Sequence, residues 1–298
     1  MTLRTWTIKE ILKVTAEFLG DKKIESPRLC AEVLLSHQLR KTRVELYLSF
    51  DQPLRDSEVA QYRALVKRRL NREPLQYITG RQEFWSLEFM VNPSVLVPRP
   101  DTEILVEEAL RLKQANQLPE ANADQTRILD LGTGSGAIAV SLAKEIEGAA
   151  FWATDISAEA LAVARENAER HAVSGKITFC QGDLYQALEQ PAPVFDMIIS
   201  NPPYIASDAF DTLPEEVRAY EPRIALDGHE KGMYFIERII AQGVNYLKPG
   251  GWLLIEMDPG QTDQALDLIG ATRSFCRQER LMDYHKNYRM IKAQKQHG

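Results

Sequence analysis

Apolar positions recur at helical spacing through roughly the first seventy residues. Ile8, Ile11, Leu12, Ala16 and Leu19 fall on one face, and Thr7 with Glu10 has the spacing of a capping box ahead of them. Ser26 followed by Pro27 opens a second helix, because proline suits the first helical position. Thr42 with Glu45 starts a short third helix, and Asp56 or Ser57 a fourth that runs to Arg72. These helices predict a small domain over residues 1–73.

The pattern then changes period. Tyr77-Ile78-Thr79-Gly80 and the stretch from Phe84 to Val91 are rich in aromatic and β-branched residues, which predicts a β-hairpin linker over residues 74–97. Pro98 and Pro100 stop it, and Asp101 or Thr102 caps a helix through Ile104, Leu105, Val106, Ala109 and Leu110. Residues 114–125 are polar and read as a loop. Strands at 127–131, 151–154, 177–180, 196–200 and 252–257 then alternate with helices at 137–146, 158–171, 232–247 and 261–269. The third of these helices ends at Lys248-Pro249-Gly250-Gly251, and two more strands are expected at 275–281 and 288–293. Such alternation predicts an α/β fold, a doubly wound and mostly parallel Rossmann-like sheet over residues 98–298, with ligands at the carboxyl ends of its strands.

Composition narrows the class. The chain has 298 residues, 44% hydrophobic and 26% charged, with a net charge of −6, which argues against a uniformly basic nucleic-acid binder. Cys30, Cys180 and Cys276 are widely separated, so neither a disulfide framework nor a zinc site is expected, and a reducing cytoplasm fits. The opening residues lack a signal-type apolar core, and no stretch has the length of a membrane span. His37, His171, His229, His285 and His297 show no metal spacing, so no metal is expected.

Two motifs carry chemistry. Ile128-Leu129-Asp130-Leu131-Gly132-Thr133-Gly134-Ser135-Gly136 leads from a strand into a helix. Its small residues let a ligand approach the backbone, and the helix N-terminus favours an anionic group. A methionine carboxylate and a pyrophosphate both suit it, and Gly132, Gly134 and Ala137 also satisfy a loose dinucleotide pattern. Asp155 ends the next strand, where ribose hydroxyls would meet it, and Asp183 with Leu184 follows the third, placed for an adenine edge.

The second motif is Asn201-Pro202-Pro203-Tyr204, directly after the strand 196–200. Two prolines end the strand and remove two donors, leaving carbonyls free. The Asn201 oxygen and the Pro202 carbonyl can accept both hydrogens of a planar NH2 group, and Tyr204 offers an aromatic face. An amide nitrogen is a poor nucleophile; acceptors that favour its pyramidal form stabilise the transition state. In-line placement against a sulfonium methyl completes the scheme, which needs no strong base.

Glu73-Pro74-Leu75-Gln76-Tyr77-Ile78-Thr79-Gly80, Val95-Leu96-Val97-Pro98-Arg99-Pro100-Asp101-Thr102-Glu103, and the run from the glycine loop through Asn201–Tyr204 to Glu221-Pro222-Arg223-Ile224-Ala225-Leu226 together resemble the HemK/PrmC family, the release factor N5-glutamine methyltransferases. The resemblance implies a class I methyltransferase sheet and S-adenosylmethionine as cofactor. It implies that Gly132, Thr133, Gly134, Ser135, Gly136, Asp155, Asp183, Leu184 and Asn201 contact that cofactor. Asn201, Pro202, Pro203 and Tyr204 would hold the glutamine of the Gly-Gly-Gln loop of class I release factors, with Asn201, Pro202 and Tyr204 catalytic. The helical domain would dock the release factor, and a monomer without direct nucleic-acid binding is expected. The chain departs from the family at Asp227-Gly228-His229-Glu230-Lys231-Gly232, where Gly-Gly-x-Asp-Gly is usual, at Glu256-Met257-Asp258 in place of Glu-Ile-Gly, and at Leu184, often a larger aromatic.

Between Arg40 and Arg72 nine basic residues face four acids, either a contact for an acidic partner or a solvated helix face. Arg99 falls beside the expected cofactor mouth as a substrate or structural arginine. Adenine N6 methylation, methylation of a ribosomal-protein glutamine, a dinucleotide oxidoreductase and an inactive binding module are the competing readings. The oxidoreductase leaves Asn201–Tyr204 without a role, and adenine methylation lacks a target-reading element.

Overall fold

The computed structural model describes residues 5–119 and 125–297. Residues 120–124 of the expected polar loop lie outside the described residues. Two compact units form: residues up to Arg81 together with Pro214–Tyr220, and Gln82–Leu213 with the chain from Glu221 onward.

The first unit is helical: Ile8–Asp21, Pro27–Leu39, Arg43–Leu48, Asp56–Leu70, Leu75–Thr79 and Glu215–Tyr220. Both capping boxes close, with Thr7 and Thr42 accepting from the backbone of Glu10 and Glu45 while those carboxylates bond back. The second helix starts at Pro27 as expected, with Ser26 left-handed before it and making no side-chain cap. Ile8, Leu19, Leu34, Leu35, Leu46 and Tyr62 fill the core, and the Tyr62 hydroxyl donates to the Ala31 carbonyl at 3.1 Å.

Leu75–Thr79, expected as strand, is a helix whose Tyr77 and Ile78 are buried, and Gly80 closes it at φ 74°. Burial within a helical core overrides the β preference of these side chains. The expected domain break after residue 73 and the unit boundary at Arg81 differ by this helix. The hairpin is confined to β1 (Arg81–Phe84) and β2 (Leu87–Met90). Trp85 and Ser86 form its turn at φ 51° and 55°, the doubly left-handed geometry that matches strand twist. Glu103 holds the turn by accepting from the Trp85 backbone at 2.9 Å.

The second unit contains β3 (Thr126–Leu131), β4 (Ala149–Asp155), β5 (Ile177–Gln181), β6 (Phe195–Ser200), β7 (Leu247–Glu256), β8 (Phe275–Met282) and β9 (Tyr288–Lys295). They form one sheet in the order β5-β4-β3-β6-β7-β9-β8. The first five are parallel and the β7-β9-β8 end is antiparallel. The side chains alternate across the sheet. Ile128, Met197 and Ile199 face a core with Leu105, Leu142 and Phe151, whereas Leu129, Ile198 and Leu253 face Ile239, Ile240 and Ile269. Helices thus cover both faces, as a parallel sheet requires.

Lys248-Pro249-Gly250-Gly251, expected to separate helix from strand, lies inside β7. Gly250 is left-handed at φ 77°, and the register against β6 shifts between Phe195 and Met197, so the chain passes the site as an irregularity in the ladder. Because β4 and β6 flank β3 on opposite sides, the strand order reverses at β3. A crevice opens there at the carboxyl ends. No described helix is long and apolar enough to cross a membrane.

Candidate functional site

The turn after β3 is built on three left-handed glycines, Gly132, Gly134 and Gly136, at φ 70°, 55° and 80°. A Cβ at Gly132 or Gly134 would meet open space, whereas at Gly136 it would press on Ala164 at 3.2 Å. The first two glycines therefore form a backbone cradle facing a cavity, and the third lets the helix Ala137–Glu145 pack closely. Asp155, at the end of β4, accepts from the Gly134 amide at 2.9 Å through Oδ2 and from Ser157 through Oδ1 at 2.9 Å. Burial pushes its carboxyl above the usual range.

Beneath this cradle Asp130 is fully buried, and burial raises its carboxyl to about 7. Its Oδ2 accepts from the Thr133 hydroxyl at 2.6 Å, bracing the turn from below.

The cavity measures about 440 Å³. It brings together the expected cofactor residues Gly132, Thr133, Gly134, Ser135, Asp155, Asp183 and Leu184 with Asn201, Pro202 and Pro203. Gly136 and Tyr204 are not among its lining residues. Leu184 is itself left-handed at φ 50°. Phe235 and Tyr234 also line the cavity, each in ring contact with His229, and they add aromatic surface near the aliphatic Leu184. Asp183 is held at both oxygens by Arg238, at 3.1 and 2.6 Å. Its remaining lone pairs alone are left for a ligand.

Asn201 follows β6 directly, and its Nδ2 donates to Thr102 Oγ1 at 3.1 Å. The Tyr204 ring packs against the core that contains Ile239 and Leu253. Its hydroxyl donates to Glu256 Oε1 at 3.3 Å, and burial, with the nearby Glu256 carboxylate, pushes the phenol upward. The departure at 227–232 wraps this motif. A Cβ on Gly228 would lie 2.8 Å from the Pro203 carbonyl, and one on Gly232 2.0 Å from that of Tyr204. Gln261 ties the motif to the wrap by donating to Tyr204 O at 2.8 Å and Lys231 O at 3.1 Å. Arg99 pairs with Glu221 at 2.6 Å, joining the Pro98–Glu103 and Glu221–Leu226 segments.

Arg238, Phe235 and Gln261 carry no signal in the sequence, and the roles of Thr102, Glu221 and Glu256 depend on contacts distant in sequence. Asp101, Asp283 and His285 do approach within 4.8 Å of one another, but Arg289 is paired with both aspartates. Four of the nine basic residues in the 40–72 stretch are held in ion pairs within the helical unit: Arg43 with Glu32, Arg68 with Glu73, Arg69 with Glu216 and Arg72 with Glu215.

Residues 10–80 match the PrmC N-terminal domain and residues 112–216 the methyltransferase small domain. The release factor glutamine methyltransferase of Geobacter sulfurreducens is 46% identical over 91% of this chain and 90% of that protein. That of Chlorobaculum tepidum is 41% identical over 95% of each. The human methyltransferase 10 domain containing protein, 15% identical, superposes with a TM-score of 0.52 over 72% of this chain and 90% of its own, a likeness of fold alone. The fold is that of class I methyltransferases, and this chain belongs to the release factor glutamine methyltransferase family.

Proposed function

We propose that the chain transfers the methyl group of S-adenosylmethionine to the side-chain amide nitrogen (N5) of the glutamine in the Gly-Gly-Gln loop of class I release factors. One observation carries this reading: the Asn201 amide spends a donor hydrogen on Thr102. Its acceptor oxygen is thereby left for an incoming NH2 group at the wall of the glycine-lined cavity.

The residues present fit the cofactor. The open Gly132–Gly134 cradle suits a close ligand backbone, Asp155 is oriented for ribose hydroxyls, and Leu184 with Phe235 offers apolar surface for a purine. When bound, S-adenosylmethionine supplies an electrophilic sulfonium methyl. Asn201 Oδ1 and the Pro202 carbonyl accept the two amide hydrogens and favour the pyramidal nitrogen. The methyl would pass to the glutamine nitrogen with the cofactor's thioether as the leaving group, and the proton that nitrogen loses would leave to water. Tyr204 acts from outside the cofactor cavity, as one flank of the glutamine entry. We assign release factor docking to the helical unit, where Val44 and Leu48 expose 68% and 82% of their surface one helical turn apart.

The test is incubation with labelled S-adenosylmethionine and, separately, release factor, ribosomes and DNA. Label is expected in the release factor at its Gly-Gly-Gln glutamine. Label confined to ribosomal protein or DNA would overturn the reading.

A further inference from the structure

Thr102 and Glu256 lie outside the sequence motif for the acceptor, yet they touch both its ends. Asn201 donates to Thr102, Tyr204 donates to Glu256, and the Thr102 and Tyr204 hydroxyls both pull the Glu256 pKa down. The two anchors are buried, at 4% and 1% exposure. They come from different elements: Thr102 from the turn Pro100–Thr102 and Glu256 from the end of β7. Glu256 Oε2 is buried with no hydrogen-bond partner among the described residues, and the Thr102 hydroxyl is one of the two that stabilise the ionised acid.

We infer that Glu256 is a positioning residue for methyl transfer, acting through Thr102 to fix which way the Asn201 amide faces. An ionised carboxylate only accepts. It therefore draws the Thr102 hydroxyl hydrogen toward itself, which leaves a threonine lone pair to accept from Asn201 Nδ2. With Nδ2 so held, Oδ1 is the atom presented to the substrate. A donor at position 256 would reverse the threonine hydroxyl, and the Asn201 amide would turn its nitrogen to the substrate instead. The same acid orients the Tyr204 hydroxyl, so one buried group sets both ends of Asn201–Tyr204. This inference rests on the proposed glutamine-methylating function.

Protonation of Glu256 has the same consequence as a donor there. Desolvation raises its carboxyl to about 7, with Arg289 and the two hydroxyls opposing and Asp101 assisting. Asp101, Arg289 and Tyr204 are the titratable groups that bear on it. The oriented state is therefore the high-pH state.

The test compares wild type with E256Q, T102V and T102S, reading kcat, cofactor affinity and the side-chain amide NMR signal of Asn201 in the product-bound protein. E256Q and T102V are expected to lose about 10- to 100-fold in kcat, with cofactor affinity within about threefold of wild type. T102S should restore the rate. Wild-type kcat and the Asn201 signal should both titrate with a midpoint near 7, and both should be flat in E256Q. A wild-type kcat in E256Q, or an Asn201 signal that does not move across roughly three pH units around neutrality, would overturn the inference. The NMR reading needs no methyl acceptor, so failure to label release factor would count against the proposed function alone.

Discussion

The side-chain amide of Asn201 offers one acceptor oxygen and two donor hydrogens, and one donor is spent on Thr102. Replacement by alanine removes the acceptor without touching the glycine cradle. N201A should lower methyl transfer by about 100-fold or more, while calorimetry finds cofactor affinity within about threefold of wild type. Full activity in N201A would exclude the proposed mechanism. Asp155 works on the other partner. Its oxygens hold the Gly134 and Ser157 amides, so D155A should weaken cofactor binding about tenfold, with the loss visible in KM for cofactor at saturating release factor. Asp155 and Asn201 were legible in the sequence because one ends and the other directly follows a strand of recognisable pattern. Thr102 and Glu256 were present in recognised segments, but their meaning comes from meeting Asn201 and Tyr204 in space, across separations of 99 and 52 residues.

Among the elements, the wrap from Asp227 to Gly232 is one of the three places that differ from the pattern expected of the family. A Cβ at either of its glycines would nevertheless press on the carbonyl of Pro203 or Tyr204. A Cβ at Gly232 has no room, and the backbone there is left-handed at φ 70°. G232A should therefore displace the acceptor motif, costing about 1–3 kcal/mol of stability by thermal melting and most of the transfer rate. An active and equally stable G232A would show that the wrap is not a constraint. The short helix Arg43–Leu48 gives a separate test of docking: L48D should raise KM for release factor several-fold and leave cofactor affinity unchanged. Equal KM values would move the docking surface elsewhere. The hairpin turn illustrates why local signals fail. Trp85 and Ser86 occupy a turn that normally selects glycine or asparagine, so no local signal marked it, whereas Gly80, in the expected hairpin linker, closes a helix. The strand–helix alternation from residue 126 onward was legible because buried parallel strands read as continuous apolar runs.

At the scale of the whole molecule, two acids at the carboxyl edge of the sheet set a pH dependence of stability. Burial raises Asp130 and Glu256 to about 7, above the unfolded values of about 3.9 and 4.3. Between those limits the folded chain binds more protons than the unfolded one. Their contribution to stability is therefore complete below about pH 4 and is lost as pH rises through about 7. D130N carries no charge to desolvate, so its melting temperature should gain on that of wild type as pH rises from about 5 to 8. A constant difference would contradict the assignment.

The division into two units also bears on how the protein can be taken apart. The helical unit is discontinuous: Pro214–Tyr220 belongs to it although 132 residues separate Arg81 from Pro214. Glu216 is the partner of the Arg69 guanidinium, which is buried, and the Tyr220 hydroxyl donates to the Asn71 carbonyl at 2.6 Å. A fragment cut at Arg81 keeps every residue of the matching N-terminal family domain yet leaves a buried cation without its counter-charge, which is strongly destabilising. A peptide spanning 214–220, added in trans or grafted after residue 81, is what such a fragment needs to become a faithful stand-in for the unit.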